Sequence, residues 1–200
     1  MKQISRRTFL ASSVRAALFG AYAGSGAAFA QSASWSNWSG GQTCQPAGRY
    51  DIGSEEELTS LLRNTLGPIR PVGSGHSFSP LVPTHGHLVV IDQLNGILDS
   101  DSTNNQVTLG AGSRLGDLGA QLDAIGQGMI NLPDIDRQTV AGAIATGTHG
   151  TGVTLQALSS FITSLRLVTP NGNVMDIDSS DEDLLHAARV NLGVLGIVTQ

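Results

Sequence analysis

Two stretches of this chain combine bare backbone with an imidazole, the pairing from which binding and chemistry can be built. In "PVGSGHSFSP", residues 71 to 80, Gly73 and Gly75 flank Ser74 and His76 follows at once. Glycines let successive backbone N–H groups turn toward one point, forming a nest that holds an anion such as a diphosphate without needing a helix. A neutral imidazole beside such a nest is a nucleophile or a hydrogen-bonding group. The second stretch, "AGAIATGTHGTG" at 141 to 152, carries no formal charge when His149 is neutral. Its small side chains permit close approach of a ligand, and the hydroxyls of Thr146, Thr148 and Thr151 can donate to phosphate or ring oxygens. A tightly packed helix and turn is the structural reading of the same residues.

Other clusters carry less chemistry. Gly73, Gly75 and the downstream Asp92 imitate a dinucleotide-binding turn, but that motif needs a third glycine and then a helix. Here Phe78 stands where the glycine would, and Pro80 and Pro83 prevent a regular helix. His85 and His87 have the spacing of two metal ligands on a strand, yet Pro83 lies beside them and no Cys or acid is near, so a solvated loop is expected and no metal site. Asp181, Glu182 and Asp183 suit the N-terminus of a helix, with His186 a surface or packing residue. No Ser-His-Asp set or carboxylate pair emerges from spacing, and no catalytic residue is assigned.

The elements that must position these stretches alternate between strand-like and helix-like, which predicts a mixed α/β or α+β fold. "SEEELTSLLRNTLG" reads as a helix with Ser54 as N-cap, Glu57 as capping-box partner and Gly67 past its end. Ile69 to Val72 reads as a strand leading into the glycine turn, and Leu88 to Ile91 as another. Residues 97 to 111 read as two strands around "STNNQ", and Leu115 to Ile125 as a helix stopped by Gly126 and Gly128. Phe161 to Val168 and Val174 to Ile177 flank the hairpin signal "TPNGN". A helix over about 181 to 191 after Ser180 as cap and a strand in "GVLGIVTQ" complete the pattern, the last strand suggesting a chain cut off at Gln200.

Residues 1 to 30 read as an address and not as fold. A basic start, an apolar stretch and Ala28-Phe29-Ala30 match a signal peptide cleaved after Ala30. Ser5-Arg6-Arg7-Thr8-Phe9-Leu10 resembles a twin-arginine export signal, which predicts contact with that export machinery and a periplasmic or extracellular protein. An ordinary secretory signal or a short membrane anchor are the alternatives, although Ser12, Ser13 and Arg15 interrupt the apolar run. This segment holds Lys2, Arg6, Arg7 and Arg15 and no acid, so the remainder is more acidic than the whole chain's formal −5. Such a chain matches nucleic acid and anionic membranes poorly. Cys44, alone, forms no internal disulfide. Residues 31 to 48, rich in Ser, Gly and Gln, read as a loose lead-in to one domain over 49 to 200.

"RPVGSGHSF", "NLPDIDRQTVAGAIATGTHGTG" and "NLGVLGIVTQ", in that order and with "WSNWSG" upstream, resemble the FAD-binding, PCMH-type domain of the vanillyl-alcohol-oxidase family. Within it the likeness is to the sugar-lactone and alditol oxidoreductases and covers roughly residues 35 to 200. The resemblance implies a non-Rossmann, two-subdomain fold: a small α/β part and a second, mostly antiparallel sheet flanked by helices. It implies that Val72, Gly73, Ser74, Gly75, His76, Ser77 and Phe78 form the pyrophosphate loop, with His76 bonded covalently to the flavin 8α carbon. His76 as a merely hydrogen-bonding loop residue is the alternative. Along the flavin it places Pro133, Asp134, Thr139, Gly142 and Ala143. Thr146, Gly147, Thr148, His149 and Gly150 would continue the cofactor wall, and the backbone of Ile197 would meet the adenine. Pro133 falls where related enzymes carry a small residue that influences oxygen access, and proline departs from that pattern.

The activity so implied is oxidation of a hydroxyl of a sugar lactone or sugar alcohol by hydride transfer to flavin N5, with O2 or another redox acceptor reoxidising the flavin. The base and the sugar-binding groups would belong to a separate substrate domain beyond Gln200. A non-catalytic exported FAD-domain fragment is the alternative from another class. An oligosaccharide oxidase or a cytokinin-type dehydrogenase would be other branches of the same fold.

Overall fold

The computed structural model describes residues 34–200. The proposed leader and the arginine pair lie outside the described residues. Two small strands come first, β1 (Trp35–Ser36) and β2 (Thr43–Cys44), paired antiparallel. Next, β3 (Gly48–Asp51), α1 (Glu55–Asn64), β4 (Ile69–Val72) and β5 (His87–Val90) build a parallel three-stranded sheet in the order β3-β5-β4. Helix α1 starts as its sequence directs: Ser54 Oγ accepts from Glu57 N at 3.1 Å. The reciprocal bond is displaced by one residue, since the Glu57 carboxylate accepts from Gly53 N and not from Ser54.

The middle strand shows why this sheet forms. Its side chains alternate between two apolar faces, as the strand's period of two requires. Val89, with Ile91 just beyond the strand, enters the main core. Leu88 and Val90, with Val72, face a smaller cluster closed by Trp35, Cys44 and Val82. The lead-in predicted to be loose is thus, over 35 to 44, a folded hairpin roofing one sheet face. Burying each such side chain contributes about 1.5–3 kcal/mol.

The second part is mostly antiparallel. β6 (Ile97–Asp101) and β7 (Gln106–Leu109) form a hairpin, followed by α2 (Leu115–Asp123) and α3 (Val140–Ala145). β8 (Leu165–Val168), β9 (Val174–Ile177) and β10 (Ile197–Val198) form a sheet in the order β10-β8-β9, with α4 (Glu182–Arg189) packed on it. One continuous core joins both parts, running from Ile52 and Leu58 through Leu118 and Ile144 to Leu167 and Val168. The architecture is α+β with small sheets and no helix directly after the glycine turn, as the resemblance implied.

Three predicted elements differ. Phe161 is the last residue of a 3-10 turn over Leu158–Phe161, and the strand begins only at Leu165. Asp181 caps α4 by accepting from Leu184 N at 3.0 Å, whereas Ser180 N donates to Asp178, so the helix starts one residue later. "GVLGIVTQ" contributes only Ile197–Val198 to a sheet, because Gly193 (φ 71°) and Gly196 (φ 159°) turn the chain before it. No helix among the described residues is long and apolar enough to cross a membrane.

Candidate functional site

Beyond β4 the chain loses its sheet partner and enters the glycine loop. Gly75, at φ 66°, takes the left-handed conformation that residues with a Cβ rarely adopt. Among the described residues, no protein acceptor takes the N–H groups from Ser74 to Phe78. The carbonyls are treated differently: Gly75 O, His76 O, Ser77 O and Phe78 O each accept from the β1–β2 hairpin. With its carbonyls engaged and its amides without protein acceptors, the loop offers a set of donors able to hold an anion.

Helix α3 approaches this loop so closely that a Cβ on Gly73 would overlap Thr139 Oγ1. Thr139 is 1% exposed and caps α3, its Oγ1 accepting from Gly142 N at 3.3 Å. Thr146 Oγ1 donates back to Gly142 O at 2.9 Å. The 141 to 152 stretch is therefore a short helix and a turn, the structural reading of its sequence, and that helix still forms one wall.

A cleft of about 110 Å³ runs between these walls. From the loop side it is lined by Val72, Gly73, Ser74, Gly75, His76 and Ser77, and from the helix side by Thr139, Gly142 and Thr146. A third wall was not anticipated: Asn191, Leu192, Gly193, Gly196 and Val198. Asn191 is buried and shapes that wall, donating from Nδ2 to Ala188 O at 2.7 Å and accepting at Oδ1 from Gly193 N at 2.6 Å. Leu192 N donates to Ala145 O, and Leu192 has a left-handed φ of 53°, a strained conformation for leucine. The glycine spacing in "NLGVLG" was the available signal, but which glycines face a cleft is not local information.

Nine proposed residues do not line the cleft. Ala143 is fully buried in the core, and Ile197 has its side chain there while its neighbours Gly196 and Val198 line the wall. Phe78 is exposed and packs edge-on to Trp38. Thr148 Oγ1 accepts from Gln138 Nε2 at 2.9 Å, and exposed His149 approaches Gly150 O through Nδ1. Gly150 packs against the backbone of Leu132, Gly147 turns the chain at φ 66°, and half-buried Pro133 and exposed Asp134 sit in the outer 131 to 137 loop.

The electrostatics suit a diphosphate. No carboxylate lines the cleft and Arg70 does, in a chain whose acids outnumber its bases. A larger opening, about 660 Å³, lies between the β6–β7 hairpin and β8–β9, but Asp99, Asp101, Asp176 and Asp178 rim it. Hydrogen bonds from Asn104, Arg166 and Ser180 hold Asp101, Asp176 and Asp178, respectively, below the usual carboxylate range, so this rim is negative at neutral pH and repels phosphate. Asp92, the decoy for a ribose-binding acid, instead pairs with Arg114 at 2.8 Å. His87 lies on β5 beside Tyr50 and His85 is an exposed loop residue. No group of three or more His, Cys, Asp or Glu able to hold a metal occurs among the described residues.

Comparison with known proteins agrees with this geometry. L-gulono-1,4-lactone dehydrogenase of Mycobacterium tuberculosis is 43% identical over 169 residues, which are 83% of this chain and 39% of that protein. L-gulonolactone oxidase of Mus musculus is 36% identical over 81% of this chain and 38% of its own length. The chain thus spans about two-fifths of the length of these relatives. Among solved structures, cholesterol oxidase from Brevibacterium sterolicum superimposes with a TM-score of 0.73 at 23% identity, over 86% of this chain and 36% of that one, a likeness of fold. A glycine loop with unpaired amides, a helix of small residues and a cleft without carboxylates suit a dinucleotide cofactor. Residues 46–178 match the profile of the FAD binding domain, and the chain belongs to that family.

Proposed function

We propose that this chain is the cofactor-binding part of an FAD-dependent oxidoreductase that oxidises a hydroxyl group of a sugar lactone or sugar alcohol. FAD would supply the hydride acceptor, flavin N5, and dioxygen or another acceptor would reoxidise it. The observation that carries this reading is the cleft in which unpaired loop amides, a helix of small residues and His76 converge with no carboxylate. The relatives' names support the lactone part of this substrate class and include both a dehydrogenase and an oxidase.

In this reading the amides of Ser74 to Phe78 hold the pyrophosphate, and Gly73 and Gly142 let the cofactor lie against backbone. His76 bonds the flavin, keeping the cofactor in place. Gly193 and Gly196 offer backbone to the adenine end. Ser5 to Leu10 would direct the protein through the twin-arginine route, to the periplasm or beyond.

The test compares wild-type protein with His76→Ala after denaturation on a gel. Flavin fluorescence in the wild-type band that vanishes in the variant supports flavin, attachment and residue together. Native protein without flavin would sink the functional reading. Hydroxyl oxidation is checked separately, by flavin bleaching with sugar lactones and sugar alcohols under anaerobic conditions.

A further inference from the structure

The hairpin that roofs the parallel sheet also grips the glycine loop. Trp38 N donates to Gly75 O at 3.1 Å and Trp38 Nε1 to His76 O at 3.1 Å. Its indole stacks on the His76 imidazole, with ring centroids 5.3 Å apart and planes inclined by 22°. Asn37, 4% exposed and shaped by bonds with Gln42, donates from Nδ2 to Ser77 O at 3.1 Å, and Gln42 Nε2 reaches Phe78 O. Successive loop carbonyls are thus drawn to one hairpin, which leaves the amides for the cleft.

Trp38 itself is 57% exposed, so core burial does not account for its place. Its two hydrogen bonds and its ring face all converge on Gly75 and His76. A half-buried histidine on a glycine loop would otherwise still sample several rotamers, and a nucleophile works only when its ring is held in line with its target. A stacked aromatic ring restricts that motion without competing for either ring nitrogen.

We propose that Trp38 is a positioning residue that holds the His76 imidazole in the orientation needed for covalent attachment to the cofactor. This rests on the reading of His76 above. Attachment replaces a C–H bond of the flavin 8α-methyl group and the imidazole N–H by a C–N bond. Two protons leave to solvent, and two electrons pass to the flavin ring and then to an external acceptor such as dioxygen.

The experiment adds FAD to flavin-free full-chain protein and follows two quantities, total bound flavin and flavin that survives denaturation. Trp38→Ala should bind flavin but attach it about tenfold more slowly, as expected for a mispositioned nucleophile. Trp38→Phe, which keeps a ring face, should recover most of the rate. Attachment by Trp38→Ala at the wild-type rate overturns the proposal, as does equal loss of total flavin in both variants, which would make Trp38 a folding residue only. If Trp38→Ala does not fold, Trp38→Leu takes its place. Wild-type protein that binds flavin without attaching it sinks the tether reading separately. His76 ring protons then decide on Trp38: an upfield displacement in wild type that is lost on substitution supports positioning, and no displacement overturns it.

Discussion

Thr139 Oγ1 occupies the space into which a Cβ on Gly73 would project, so the loop after β4 and the cap of α3 meet at one atom. Two segments 66 positions apart are thereby closed against each other, and the cleft lies along their seam. The same hydroxyl holds the helix N-terminus and sets the loop's distance from it.

Gly73→Ala must therefore displace Thr139 and weaken its cap. We expect a loss of about 1–3 kcal/mol in urea unfolding and a clear drop in FAD affinity. Thr139→Ala alone should cost about 1 kcal/mol. The double variant should lose less than the sum of the two, because removing Oγ1 relieves part of the overlap. Strict additivity would show that the two residues do not share this contact.

Gly150 makes another such contact, against Leu132 O and Asn131 Oδ1. Both obstacles are tied in place, since Asn131 Oδ1 accepts from Leu132 N at 2.9 Å. Gly150→Ala should destabilise the chain by about 1–3 kcal/mol and increase hydrogen exchange over residues 131 to 137. Unchanged exchange there would remove the assigned packing.

Acidity should act on the β8–β9 pair. Arg166 donates from Nε and Nη2 to the Asp176 carboxylate at 2.6 and 2.9 Å, which holds Asp176 below its usual range. A carboxyl depressed in the folded state contributes stability above its unfolded pKa and loses it as pH falls through the folded pKa. The pair is solvent-exposed, so its contribution is about 0.5 kcal/mol. Asp176→Asn should lower stability by that amount at pH 7 and by nothing once both states are protonated, well below the ordinary aspartate range. A penalty unchanged across that window would refute the assignment.

Export has an independent test. Replacing Arg6 and Arg7 together by lysine keeps the charge and removes the paired guanidinium groups. The protein should then accumulate inside the cell, and normal export would exclude the twin-arginine route.

Much of the local structure was legible because it rests on neighbours in sequence. Ser54 and Glu57 set the start of α1, and "TPNGN" set the β8–β9 turn. The glycine loop, His76 and part of the 141 to 152 stretch were legible as candidate site residues for the same reason, and they line one cleft: bare backbone beside an imidazole is a chemical statement already in one dimension. Where a strand ends was less legible. Ile197–Val198 pairs for two residues only, and that depends on the partner β8.

Only the tertiary structure decided which small residues share a surface. Ala143 and Thr148 sit in the same bare stretch as Gly142 and Thr146, yet one turns into the core and the other bonds Gln138, because helical periodicity divides neighbours between faces. Trp38, in a segment that reads as a loose lead-in, stacks on His76 across 38 positions of sequence. Composition carries the chemistry of each residue. Which residues meet depends on long-range packing, whose hydrogen bonds and excluded volumes exist only once the sheets have closed.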